Sequence, residues 1–90
     1  MEFNNHRKAF EVRTAGLRDM MLYKLTIEAQ KRAKRSRLSK REMIRGLGTS
    51  PAQLYRLLDQ TNYRKSIDHM LALLSVLDCY VELIVRVRAA

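Results

Sequence analysis

Two helix-start signals eleven residues apart, with a glycine between them, constrain this chain more than any other feature. Ser39-Lys40-Arg41-Glu42 has the S-x-x-E form of a capping box. The Ser39 hydroxyl can accept from the Glu42 backbone N–H, and the Glu42 carboxylate can reach back to the Ser39 N–H. Leu38 and Met43 flank this cap at the spacing of a hydrophobic staple. Ser50-Pro51-Ala52-Gln53 repeats the grammar: Ser50 caps, Pro51 fills the first helical position where no donor is needed, and Gln53 closes the box. Gly48 is placed to end the first helix in a left-handed conformation. The stretch from Leu38 to Asp59 therefore predicts helix, tight turn, helix, the form of a helix-turn-helix unit.

The second helix, from Pro51 to about Gln60, carries the specificity argument. Leu54, Leu57 and Leu58 fall at i, i+3 and i+4 and predict one buried stripe. At 100° per residue, Ala52 and Arg56 lie nearly opposite that stripe, with Gln53 and Tyr55 on its shoulders. These side chains suit a major groove. Arginine pairs with the two acceptors of guanine, glutamine with the acceptor and donor of adenine, and an alanine methyl meets a thymine methyl. Two plainer roles stand beside this one: Gln53 as a cap only, and Tyr55 packed sideways on the core. Asp59 would repel phosphate and is expected to point away or bond a cation.

The net charge of +9 on 90 residues favours a polyanionic partner, although it also serves simple solubility. It is concentrated. Lys31, Arg32, Lys34, Arg35, Arg37, Lys40, Arg41 and Arg45 put eight of the eighteen cations within fifteen residues, with Glu42 the only acid among them. The bland account is a solvated helix face or a nuclear-import run. The sharper one is a flank that contacts phosphate and sets register without reading bases. On it, Lys34, Arg35, Arg37, Lys40, Thr49, Ser50, Arg64 and Lys65 are the expected phosphate contacts, the first N–H groups after Ser50 adding an anion site.

Elsewhere the pattern is mixed. Phe10-Glu11-Val12-Arg13 alternates like a half-buried strand, and Ala15-Gly16 could turn the chain. Residues 17–25 read either as helix or as a second short strand, with Thr26 then capping a helix from Ile27. Ser66 caps a later helix, with Asp68 in its first turn; Ile67, Met70, Leu71, Leu74 and Leu77 recur at helical spacing and are expected to close the core. From Cys79 to Arg88 the period is two without interruption, which predicts a strand. A lone strand needs a partner: the Phe10 strand, the same strand in a second copy, or another protein.

One small domain with a limited core gains from dimerisation. The single Cys79 excludes an internal disulfide and fits a reducing compartment. No stretch approaches the roughly 20 apolar residues of a membrane span, and MEFNNHRKAFEV lacks the apolar run of a secretion signal, so a cytoplasmic protein without a membrane partner is expected. No Ser/His/Asp set, paired carboxylates or glycine-rich phosphate loop suggests an enzyme or a cofactor. His69 has no second ligand nearby, so no metal site is expected.

Leu38, Ser39, Gly48, Ser50, Leu54 and Leu57 make residues 27–78 resemble the Cro/C1-type, lambda-repressor-like helix-turn-helix family. Lys40 stands where that family often has Gln, Ile44 where a small Ala is usual, and Gly46 where an apolar residue is common. The Ile44 and Gly46 departures read either as a compensating size exchange or as a shifted helix packing. The tail IDHMLALLSVLDCYVELIVR is similar to HigA-like antitoxins and related small regulators. The resemblance implies a mainly α, lambda-repressor-like bundle; periodicity adds the C-terminal β-strand and a short N-terminal strand or hairpin, able to form an intermolecular sheet. The expected division is 1–25 polar with short strands, 26–78 DNA-binding, and 79–90 a strand for dimerisation or sheet pairing. The implied function is a sequence-specific repressor and autoregulating antitoxin, binding a palindromic operator on double-stranded DNA as a homodimer and neutralising a cognate toxin protein. The alternatives are an interaction module that neutralises a toxin without specific DNA binding, a stand-alone phage- or plasmid-type regulator, and an RNA binder, for which Tyr63 and Tyr80 offer too few stacking aromatics.

Overall fold

A computed structural model describes the backbone of residues 2–88 and the side chains of residues 14–88. Four helices follow in order: α1 Glu2–Arg35, α2 Lys40–Leu47, α3 Pro51–Leu58 and α4 Ile67–Val76. At 1.5 Å per residue the 34 residues of α1 span about 51 Å, which accounts for the 53 Å long dimension of the molecule. The radius of gyration, 16.3 Å, exceeds the roughly 12 Å of a compact chain of this length, as one helix nearly as long as the whole molecule requires.

Both helices start at the serine cap that their spacing predicts, the first with its full capping box. Ser39 Oγ accepts from the Glu42 N–H at 3.1 Å, and the Ser39 N–H donates to Glu42 Oε1 at 3.4 Å. Ser50 Oγ accepts from the Gln53 N–H at 3.2 Å and Ser66 Oγ from the His69 N–H at 3.0 Å. Gly48, at φ 65°, closes α2 with its own N–H on Arg45 O and the Thr49 N–H on Ile44 O, both at 3.1 Å. This paired closure is a Schellman turn. α4 ends the same way, with Asp78 N–H on Ser75 O and Cys79 N–H on Leu74 O, except that the left-handed position is held by Asp78 at φ 62°.

The core is Leu22 and Ala29 of α1, Met43 of α2, Leu54 and Leu57 of α3, and Met70, Leu73, Leu74 and Leu77 of α4 and its end. Within the expected α4 set, Leu71 is exposed and Leu73 takes its place in the core. Leu58 is half-buried at the core's edge. Gly46 resolves the size question at the α2–α4 contact: a Cβ there would meet Val76 Cγ1 at 3.1 Å, so Val76 occupies the room the glycine leaves, while Ile44 packs on the core.

The structure corrects three expectations. The strand at residues 10–13, and the hairpin placed within residues 1–25, are helix from Glu2 onward (residue 1 lies outside the described residues). A four-residue alternation does not outweigh a stretch rich in helix formers with no proline, and Gly16 sits in open space where a helix tolerates it. Thr26 is not a cap: it is fully buried inside α1, its Oγ1 donating to Leu22 O at 2.6 Å, and the helix runs unbroken across the boundary expected between residues 25 and 26. The C-terminal β-strand is also absent. Among the described residues no strand occurs, and residues 79–88 run without helix or ladder because those residues include no second extended segment to pair with; residues 89 and 90 lie outside the description.

Candidate nucleic-acid interface

The short helix α3 is held from both ends. Its start is capped by Ser50, with Pro51 at the first helical position. Its last carbonyls, which no helical partner can reach, are each taken by a donor from elsewhere. Lys65 Nζ donates to Leu57 O at 2.9 Å and to Asp59 O at 2.8 Å. Gln30 Nε2, from α1, donates to Leu58 O at 2.7 Å, and Asn62 Nδ2 to Arg56 O at 3.3 Å. The cation at this end also complements the negative pole of the helix. The loop that supplies Lys65 is tied to α1 in turn, Arg18 donating to Tyr63 O at 3.0 Å and to Lys65 O at 2.9 Å.

Held this way, α3 turns Leu54 and Leu57 into the core and leaves Ala52, Tyr55 and Arg56 exposed, with Gln53 half-buried beside them. The capping box expected at Ser50 forms only by half. The Ser50 hydroxyl takes the Gln53 backbone N–H, whereas the Gln53 side chain makes no hydrogen bond among the described residues. Nor does the Arg56 guanidinium have a hydrogen bond or an acidic partner there. Tyr55 does not pack into the core. Its ring, 55% exposed, lies under Lys40, whose Nζ is 5.0 Å from the ring centroid. This cation–π contact joins the start of α2 to the outer side of α3.

The expected phosphate contacts divide. Lys34 and Lys40 stand on the rim of one cleft between the end of α1 and the start of α2. Lys34, Arg35 and Arg37 are exposed and carry no ion pair among the described residues; upstream, Lys31 and Arg32 sit 3.9 and 4.0 Å from Glu28 in exposed contacts of the kind that add little stability. Thr49 is half-buried in the turn and Ser50 exposed at the start of α3; both line a shallow cleft with Gln53 and His69. Arg64 is exposed on the loop after α3, its N–H donating to Asn62 Oδ1 at 3.0 Å. Lys65 is a correction. It is 6% exposed, and its ammonium is spent on the carbonyls that end α3, so it positions the helix instead of facing phosphate.

Asp59, at the far end of α3, turns back on its own loop. Its Oδ1 accepts from Thr61 Oγ1 at 2.7 Å and from the Thr61 N–H at 2.9 Å. Those two bonds, with the nearby Lys65 charge, hold its carboxyl below the ordinary range. Burial lowers the pKa of Lys65, against the opposing pull of Asp59. Sequence spacing gave no sign of Gln30, Asn62 or Arg18 as supports, since Gln30 and Arg18 act across 28 to 47 residues. Lys65 had one available signal, a cation placed just beyond a helix end.

A capped helix, a left-handed glycine turn and a second capped helix with an unpaired Arg and Gln on its outer side define a helix-turn-helix DNA-binding unit. The family model described as the Cro/C1-type HTH DNA-binding domain matches residues 30–87, well over half of the chain, and the chain belongs to that family. It is thus a DNA-binding regulator by its domain. No curated protein and no solved structure matches it. No helix among the described residues is long and apolar enough to cross a membrane.

Proposed function

We propose that this chain is a sequence-specific transcriptional repressor that binds a palindromic operator as a homodimer. Ala52, Gln53, Tyr55 and Arg56 read base edges, and Lys34, Arg35, Arg37, Lys40, Thr49, Ser50 and Arg64 engage phosphates. The observation that carries the reading is the outer side of α3, where the polar ends of Gln53 and Arg56 have no hydrogen-bonding partner among the described residues, while the helix behind them is fixed by Leu54, Leu57, Gln30 and Lys65. A rigid helix with unspent donors is what base readout requires. Two-fold symmetry would place two such helices about 34 Å apart on successive major grooves.

A finer step rests on the likeness of the tail alone: the operator is the gene's own promoter, and the protein is the antitoxin of a toxin–antitoxin pair. No residue is assigned to toxin binding.

Footprinting on the gene's own promoter, followed by binding titrations at graded salt, tests the reading. Arg56→Ala and Gln53→Ala should each lower affinity for the preferred site by about 10- to 100-fold, the equivalent of ~1–3 kcal/mol per bidentate base contact, and flatten preference at one position. Lys40→Ala should weaken all duplexes alike and reduce the salt slope by about one. Equal binding of every duplex by the wild type, or an unchanged preference in Arg56→Ala, would overturn it.

A further inference from the structure

Arg64 stands between two carbonyls that a single side chain holds. Arg18 of α1 spreads its guanidinium across them, Nη1 donating to Tyr63 O at 3.0 Å and Nη2 to Lys65 O at 2.9 Å. A third bond fixes the residue between: the Arg64 N–H donates to Asn62 Oδ1 at 3.0 Å, closing an Asx turn. Asn62 is itself fixed on the end of α3, its Nδ2 donating to Arg56 O at 3.3 Å and its N–H to Asp59 O at 3.1 Å. On the other side of Arg64, the Lys65 ammonium is held by Leu57 O and Asp59 O. The backbone at Arg64 is thus tied to α1 through Arg18 and to α3 through Asn62 and Lys65. Arg64 is nevertheless exposed, and its guanidinium has no hydrogen bond or acidic partner among the described residues.

A surface loop is ordinarily the mobile part of a small domain. A cation carried on one must give up freedom each time it meets a phosphate, and that loss is subtracted from the affinity. Pinning the backbone beforehand removes part of the loss and leaves only the side chain to order. Arginine suits the task, because its planar fork spans two acceptors at once, whereas the ammonium of a lysine is a point donor on a flexible stem. The link to Arg56 O matters as well. It fixes the place of Arg64 relative to a residue on the outer side of α3.

We infer that Arg18 is a positioning residue for DNA contact: its fork holds residues 63–65 so that Arg64 meets a phosphate at a place set relative to Arg56. Arg18 acts through Arg64, its own guanidinium being engaged on the two carbonyls. The inference rests on the phosphate role given to Arg64 above. It adds a part of α1 that lies ahead of residues 30–87, the stretch that carries the family's pattern.

Binding titrations at graded salt test it on two duplexes, one from the gene's own promoter and one of unrelated sequence. Arg64→Ala should lower affinity for both about tenfold and reduce the salt slope by about one. Arg18→Lys keeps the charge and loses the fork. It should lower affinity for both by about three- to tenfold and leave the preference between them unchanged. Asn62→Ala, which frees the Arg64 N–H from the other side, should lower affinity likewise. With Arg64 already alanine, neither change should lower affinity further. Helical circular dichroism and urea midpoints show whether folded protein is being compared, and Asn62→Ala carries the test if Arg18→Lys unfolds. Unchanged affinity in folded Arg18→Lys, or additive losses in the double variants, would overturn the inference and leave the DNA reading standing. So would a preference flattened by Arg18→Lys as much as by Arg56→Ala, since Arg18 would then support α3 at large. Arg64→Ala binding like the wild type would remove the phosphate role of Arg64 and the inference with it. A wild type that binds both duplexes alike sinks the sequence-specific reading and leaves the role of Arg18 intact.

Discussion

Residues 39–58 and residues 79–88 carry equally regular hydrophobic patterns, yet they end in opposite circumstances. The first pattern, read at helical spacing, buries Met43, Leu54 and Leu57 to within 2% exposure. The second, read at a period of two, leaves Leu83, Val85 and Val87 almost wholly in water. The difference lies in where the backbone hydrogen bonds close. A helix closes its own four residues back, so its apolar stripe needs only a surface to lie on. A strand closes them on another strand, and this chain contains no other among its described residues. A period identifies the conformation a segment favours, and says nothing of whether the partner is in the same molecule.

The largest expected effect tests that contrast directly. Leu54→Ala removes a fully buried side chain and should destabilise the fold by about 2–5 kcal/mol, read as a lowered urea midpoint. Val87→Ala, at a position 98% exposed, should shift the midpoint by less than about 0.5 kcal/mol in dilute solution. Its effect should grow with protein concentration if the tail is buried between copies. Equal effects at the two sites at every concentration would break the comparison.

Much of the helix-turn-helix unit was legible for the same reason. Ser39, Gly48 and Ser50 act on groups three to five residues away, and capping chemistry over that range is written in consecutive letters. So was the outward set of Ala52, Tyr55 and Arg56, because Leu54 and Leu57 fix the rotation of the helix. What escaped was long-range or ambiguous. The alternation at residues 10–13 was too short to outweigh helix formers on both sides. The burial of Lys65 goes with bonds that reach in from α1, Arg18 to the loop carbonyls of Tyr63 and Lys65 and Gln30 to the last carbonyl of α3. Thr26 has the chemistry of a cap, but inside a helix its hydroxyl is satisfied by Leu22 O.

A smaller effect separates two turns of the same design. Gly48 and Asp78 both hold left-handed positions in Schellman closures, at φ 65° and 62°. No neighbour lies within 4 Å of a Cβ built on Gly48, so Gly48→Ala should cost only the conformational penalty, about 1–2 kcal/mol. Asp78→Gly should run the other way and raise stability by about 0.5–1 kcal/mol, relieving the left-handed Cβ and removing a carboxylate from the negative end of α4. Thermal midpoints of the two variants would show it. The gain is smaller than the loss because aspartate tolerates this conformation better than alanine does.

The smallest effect concerns the far end of α3, where Asp59 and Lys65 both titrate below their ordinary values. Asp59 is lowered first by the Thr61 hydroxyl, then by the Thr61 N–H. The unfolded chain therefore binds the proton more readily than the folded one. Its contribution is complete above the ordinary value of 3.8 and is lost as the pH falls through the lowered folded value. Lys65 is lowered by burial, so the unfolded chain keeps that proton to higher pH; stability from this group rises as the pH climbs from the lowered value toward 10.5. Both windows thus slope in the same direction. Asp59→Asn keeps an acceptor for Thr61 but removes the charge. Urea midpoints measured across pH should show a flatter acid limb in that variant. The alkaline rise should start at lower pH, because Asp59 no longer holds the Lys65 proton. An acid limb unchanged by Asp59→Asn would mean that the loop, for all its short hydrogen bonds, does not feel the carboxylate's charge.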